Sequence, residues 1–281
     1  MLRQDARVTD LLTPLIVVVG VLGLLIGSFL NVVVYRLPLR ESIVSPGSRC
    51  PKCGHPVRWW DNLPVVSWLL LRGRCRDCQA SISLRYPAVE LLTGALFAAT
   101  AWWAFSTDAV DGVAVLPFLV AVLYLAAISV ALGLIDLDTH TLPNRIVGPA
   151  YIVAGALLAT TSLMSGDIGA LVRAAIGAAI LFLAYLVMAL ARPGGMGLGD
   201  VKLAGVLGLY LGWLGWGSLA VGGFAAFLLG GLYSIALLAL RKANRKSGIP
   251  FGPWMLGGAW VGIFAGQPVW DAYLSWVGLA G

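Results

Sequence analysis

Charge is scarce in this chain. Only 11% of its 281 residues are Asp, Glu, Lys or Arg, about half the share usual in a soluble domain, so a soluble globular protein is excluded. Internal repeats and low-complexity tracts are lacking as well. No base-reading motif accompanies the formal net charge of +6, so nucleic acid is not an expected partner. Cysteine is confined to four positions in one loop. What the chain has in quantity is apolar residues, 59% of the total, gathered into long runs rather than alternating patterns.

Runs of about 20 residues with few charges read as transmembrane helices. Eight are expected, near 14–35, 88–105, 113–135, 146–164, 169–191, 200–216, 218–240 and 252–270. The fold class is therefore an all-α polytopic membrane protein with a small loop domain. The first run is too long for a secretory signal peptide and has no small-residue cleavage site, so it reads as a retained anchor. The only long polar interruption is 36–86. Three regions follow: an anchor over 1–35, a tetra-cysteine loop over 36–86 and a transmembrane domain over 87–281.

Basic residues orient the chain. Nine of the 19 Lys and Arg lie between Arg36 and Arg85, and four more between Arg241 and Lys246. By the positive-inside rule both segments are cytoplasmic, facing anionic lipid. Threading eight spans between them puts the N-terminus outside, where Arg3 and Arg7 are balanced by Asp5 and Asp10. The 106–112 turn, with Asp108 and Asp111, also falls outside, while 136–145 and 192–199 fall on the cytoplasmic side. Arg173 runs against this pattern.

The polar loop carries C-P-K-C at Cys50 and Cys53 and C-R-D-C at Cys75 and Cys78. Two C-x-x-C pairs about 20 residues apart supply four thiolates for a tetrahedral zinc, and a cytoplasmic setting disfavours structural disulfides. The expected role is structural, because a metal lets so short a loop fold without a large core. His55 beside them reads as solvated.

Most acids sit in tails or turns, but two clusters do not. One is I-D-L-D-T-H-T-L-P-N, from Ile135 to Asn144; the other is R-P-G-G-M-G-L-G-D-V-K-L, with Asp200 heading the sixth span. Ionisable groups at membrane depth suggest function, and the topology puts Asp136 and Asp200 at the same level. The alternative for each is a helix cap, which suits Asp138. A close carboxyl pair does the chemistry of aspartic proteases. Gly195, Gly197 and Gly199 lack Cβ atoms, which would let an extended substrate approach, and Pro193 ends the preceding helix. The glycines also echo a dinucleotide fingerprint, but no strand precedes them.

These residues resemble the type IV prepilin peptidases, a family of G-x-G-D membrane aspartic proteases. The likeness runs in order through G-S-F-L-N-V-V-V-Y-R-L-P (Gly27 to Pro38), the two C-x-x-C pairs, R-Y-P-A-V-E (Arg85 to Glu90), I-D-L-D…L-P-N, G-L-G-D-V-K-L and P-F-G-P (Pro250 to Pro253). The resemblance implies that Asp136 and Asp200 are the catalytic pair, Asp136 being preferred over Asp138 by its spacing to Asn144. It implies that Gly197, Gly199 and Lys202 support them. Many relatives read L-P-D where this chain has Asn144. It further implies cleavage of the basic leader of prepilins and pseudopilins after a glycine at the cytoplasmic face of the inner membrane. N-methylation of the new terminus with S-adenosylmethionine would follow. By the same resemblance Gly73 matches a glycine linked to methylation, and Asn31, Arg36 and Glu90 match family positions with polar roles, which makes the four candidate cofactor contacts. The alternatives are a turn for Gly73, a helix-start charge for Glu90 and an interfacial anchor for Arg36. No adenosylmethionine motif of soluble methyltransferases is present.

Rival expectations come from other classes. A transporter would use acids as a proton relay near the bilayer midplane. A non-catalytic assembly factor would bind partners through the zinc loop. A cleavage-only peptidase resembles the archaeal preflagellin enzymes, which lack the zinc region.

Overall fold

The computed structural model describes residues 2–107, 109–192, 194–241 and 248–278, with side chains from Leu12 onward. The expected break at Pro193, the acid at Asp108 and the basic cluster at 242–246 lie outside the described residues. So do the side chains of Arg3, Asp5, Arg7 and Asp10. Nine α-helices occur among the described residues, and no named strand; two isolated β-bridges, Arg49 with Pro56 and Arg74 with Ser81, are the only extended pairings there. The chain forms two compact units. One takes Met1–Thr107 and Val122–Ala131, the other Asp108–Ala121 and Leu132–Gly281.

In the first unit, α1 (Leu2–Arg36) packs along α3 (Arg85–Ser106), and the short α2 (Val66–Leu70) lies in the loop between them. Glycines allow α1 and α3 to approach closely. A Cβ on Gly23 would stand 2.7 Å from the Phe97 Cβ, and one on Gly27 would stand 2.8 Å from the Glu90 Cα. Small residues bring helices together in this way where lipid supplies no hydrophobic drive.

The second unit holds α5 (Asn144–Ser165), α6 (Ile168–Ala191), α7 (Leu198–Leu214), α8 (Trp216–Ala239) and α9 (Gly252–Trp276). Both ends of α4 (Val115–Thr139) also belong to it. Helix α7 is its core: 11 of its 17 residues are buried, which is why it shows no polar face. Tyr210 donates its hydroxyl to the Ala121 carbonyl at 3.0 Å, and the Trp213 indole donates to the Ser162 hydroxyl at 2.8 Å. Gly212 meets the Arg173 carbonyl of α6 so closely that a Cβ would stand 2.6 Å from it.

Among the described residues six helices are long and apolar enough to cross a membrane: Leu12–Arg36, Arg85–Ser106, Gly112–Thr139, Asn144–Ser165, Ile168–Ala191 and Trp216–Ala239. The expected count of eight is therefore not confirmed. With 17 residues, α7 rises about 26 Å, less than a hydrocarbon core of about 30 Å. Helix α9 is long, but its glycines, Gln267, Pro268 and Asp271 dilute its apolar character. Arg173, anomalous by the charge rule, pairs with Asp167 at 3.4 Å near the start of α6. Asp167 caps that helix by accepting the Ala170 N–H.

Candidate active site and metal centre

Four segments of the second unit converge on the two central carboxylates. Asp136 lies in the last turn of α4, and His140 ends that helix in the left-handed conformation at φ 52°. Asp136 is only 4% exposed. Its Oδ2 accepts the backbone N–H of Gly252 at 2.9 Å, from the first residue of α9. Asp138, two residues on, is exposed, since a helix turns it to another face.

Asp200 sits in the first turn of α7, where its Oδ2 accepts the Gly197 N–H at 3.0 Å. That is the reach-back half of a capping box. The helix cap that was the alternative to function is therefore real, yet it engages one oxygen only. Among the described residues neither Asp136 nor Asp200 has a hydrogen bond to its Oδ1. The two carboxyl groups interact electrostatically with each other, and Asp200 with Tyr185. His140 acts on Asp136 in the same way.

Leu142 packs the segments together. A Cβ on Gly199 would lie 3.0 Å from the Leu142 Cβ, and one on Gly252 would lie 3.3 Å from its Cδ2. Gly199 is thus used for packing, while Gly197 is exposed. Beside them Lys202 donates its Nζ to the Asn144 Oδ1 at 3.0 Å, and Tyr151 donates its hydroxyl to the Lys202 carbonyl at 2.7 Å. Phe251 carries the P-F-G-P segment into an aromatic cluster with Tyr185 and Phe227, at ring separations of 6.2 and 5.4 Å. Gly252, Leu142 and Tyr151 are the residues that sequence reasoning missed. P-F-G-P was visible as a motif, but nothing local tied it to Asp136.

In the first unit the four cysteine Sγ atoms lie within 4.8 Å of one another. The Cys50 and Cys78 sulfurs are 3.8 Å apart, close to the edge of a tetrahedron with Zn–S bonds of about 2.3 Å. The two C-x-x-C turns share one backbone pattern. Cys50 N–H donates to the His55 carbonyl, and Gly54 N–H returns to Cys50; Cys75 N–H donates to the Ala80 carbonyl, and Gln79 N–H returns to Cys75. Gly54 and Gln79 both adopt positive φ, 73° and 58°. Backbone N–H groups of Cys53 and Lys52 pull the Cys50 thiol down to about 6. Cys53 goes the other way, to about 12: the His55 N–H lowers it, but desolvation and the neighbouring sulfurs outweigh that pull. These donors fit a thiophilic divalent metal.

The remaining predicted positions serve the loop. Asn31 donates to the Tyr86 carbonyl at 3.2 Å, and Arg36 to the Ser42 carbonyl at 3.1 Å. Glu90 accepts the Val65 N–H at 2.7 Å. Gly73 has φ 65°, with Trp68 Cζ2 only 2.8 Å from where a Cβ would stand. Arg76 forms a two-pronged bond to Asp61 and holds that carboxyl below its usual range.

Two family profiles match the sequence: the Bacterial Peptidase A24 N-terminal domain over residues 21–104, and the Type IV leader peptidase family over residues 123–235. The chain is similar to the prepilin leader peptidase/N-methyltransferase of Stutzerimonas stutzeri, at 36% identity over 92% of this chain and 93% of that one. The Pseudomonas aeruginosa protein of the same name is 35% identical over 92% of each. That of Myxococcus xanthus is 43% identical over 69% of this chain and 55% of its own. No solved structure matches.

Proposed function

The chain belongs to the type IV leader peptidase family, and on that premise we propose that it is a membrane aspartic endopeptidase that removes the leader from prepilins and N-methylates the new terminus. It is a multi-pass bacterial membrane protein. The observation that carries the reading is the matched pair of carboxylates. Asp136 and Asp200 each accept one backbone N–H through Oδ2, the charge of Asp136 acts on Asp200, and among the described residues neither Oδ1 takes a hydrogen bond.

In such a pair one carboxyl holds a proton and the other is ionised. The ionised group takes a proton from water, and the resulting hydroxide attacks the scissile carbonyl. The protonated group donates a hydrogen bond to that carbonyl oxygen. The C–N bond then breaks, and the released amine takes up the proton. Gly252 and Gly197 hold the two carboxylates in orientation, and the exposed Gly197 leaves room for an extended substrate backbone. Lys202, tethered to Asn144, fixes the start of α7. Loop charge and the alternation of spans support a site at the cytoplasmic face of the inner membrane.

Zinc is the metal the cysteines suit; when bound it closes the two knuckles into one unit. The resemblance names S-adenosylmethionine as methyl donor. At Asn31, Arg36 and Glu90 that donor would meet polar groups already bonded within the protein, and at Gly73 a turn closed by Trp68. On this reading their part in methylation is to shape the loop.

The test compares wild type, Asp136→Asn and Asp200→Asn, purified in detergent and incubated with a prepilin. Both variants should remain folded and leave the leader uncut. Normal processing by either would overturn the assignment. A wild-type product that gains no methyl mass with S-adenosylmethionine present would mean cleavage alone.

A further inference from the structure

The loop between α1 and α3 carries an apolar surface that the peptidase reading does not use. Trp59, Val66, Leu69 and Leu70 are 76%, 50%, 61% and 78% exposed. The last three fall at i, i+3 and i+4 and so share one face of α2. The surface is built, not loose. Ser67 donates its hydroxyl to the Trp60 carbonyl and accepts the Leu63 N–H, joining the turn Trp59–Asn62 to α2. Val65, the residue before α2, is β-branched yet held at φ 61°, a strained state that persists only when its surroundings enforce it. The Glu90 carboxylate, which accepts the Val65 N–H at 2.7 Å, helps hold it there.

That bond also fixes depth. Glu90 lies five residues inside Arg85–Ser106, about 8 Å along the axis of a membrane-crossing helix. A span that begins at Arg85 holds a segment bonded to Glu90 at the edge of the bilayer. Its composition suits that level, since tryptophan concentrates at membrane interfaces and leucine below them. Between Arg36 and Arg85 nine basic residues face three acids, Glu41, Asp61 and Asp77. Two of those acids are already paired, with Arg76 and Arg58, and Arg72 and Arg74 remain exposed just beyond α2. An apolar face edged with unpaired arginines matches an anionic lipid surface.

We propose that residues 59–70 form an interfacial anchor, with Trp59, Val66, Leu69 and Leu70 seated at the headgroup boundary of the leaflet where α3 begins. The anchor pins the cysteine loop to the membrane surface. The binding is intramolecular in kind, because α1 and α3 already hold the loop there, so a helix of five residues suffices.

The test places p-benzoylphenylalanine at the position of Trp59 or of Leu70 in the full chain, reconstituted in vesicles of phosphatidylcholine and phosphatidylglycerol. Ile180, exposed midway along α6, serves as the lipid reference, and Lys52, exposed in the first knuckle, as the aqueous one. After irradiation, lipid adducts at 59 and 70 should exceed those at 52 by about tenfold, as expected for side chains buried in the headgroup boundary. The proposal is overturned if 59 and 70 capture no more lipid than 52 while 180 still captures it. Capture of a second polypeptide at 59 or 70 in place of lipid overturns it equally.

Discussion

The backbone N–H of Gly252 binds the Asp136 carboxylate at 2.9 Å, across 116 residues of sequence. A Cβ added at Gly252 would stand 2.7 Å from that same Oδ2, so alanine must push the carboxylate aside. A misplacement of about 1 Å costs catalysis about a hundredfold. Gly252→Ala should therefore lower leader cleavage by about 10- to 100-fold while leaving the helical content unchanged. Gly257→Ala, where the nearest neighbour lies at an ordinary 3.5 Å, should cleave like wild type. Steady-state rates of the two variants decide the point.

Lys202 and Asn144 join the two carboxylate-bearing motifs at 3.0 Å. Lys202→Met removes one charge-assisted hydrogen bond of about 1.5 kcal/mol, so cleavage should fall by about tenfold. Asn144→Asp turns the contact into an exposed ion pair of about 1 kcal/mol or less. It should cleave within about threefold of wild type. If Asn144→Asp were as impaired as Lys202→Met, the contact would not be what Lys202 contributes.

Elements whose signal is local were legible without coordinates. Six apolar runs became membrane-length helices because run length and hydropathy are properties of each segment alone. The cysteine pairs were readable because each knuckle is a local turn and the intervening loop is short enough to close. Asp136 and Asp200 stood out as acids in apolar surroundings. Long-range geometry was not legible. Helix α7 looked like a span by composition, yet it is short and wrapped by its own unit. The attachment of Gly252 to Asp136 depends on how α9 is threaded past α4, which no periodicity records. Glu90 looked like a helix-start charge or a cofactor contact, while its partner, Val65, is unremarkable in sequence.

Gly73 and Gly54 adopt similar positive φ, 65° and 73°, but differ in their surroundings. A Cβ on Gly73 would clash with Trp68, whereas around Gly54 there is nothing within 4 Å. Gly54→Ala should cost only the left-handed strain, about 1–2 kcal/mol. Gly73→Ala adds the clash and should open the second knuckle. Limited proteolysis of the full chain should then cut the loop faster in Gly73→Ala than in Gly54→Ala, with methylation lost and leader cleavage kept. Equal protection in the two variants would show that Trp68 does not set the requirement.

Metal binding should follow the Cys50 thiol. Its folded-state value of about 6 lies below its ordinary 9.0, so the fold favours the thiolate. That contribution is present in full above about 9 and is withdrawn as pH falls through about 6. Zinc bound to the full chain should therefore be retained at neutral pH and released on acidification, as the thiolates are protonated. Cys53, held up at about 12 when no metal is bound, must give up its proton to become a ligand. Zinc added to chelator-treated protein at neutral pH should thus liberate protons, measurable in weakly buffered solution. Cys50→Ser should bind less zinc. If metal analysis finds equal zinc in Cys50→Ser and wild type, the four-sulfur site is not the one occupied.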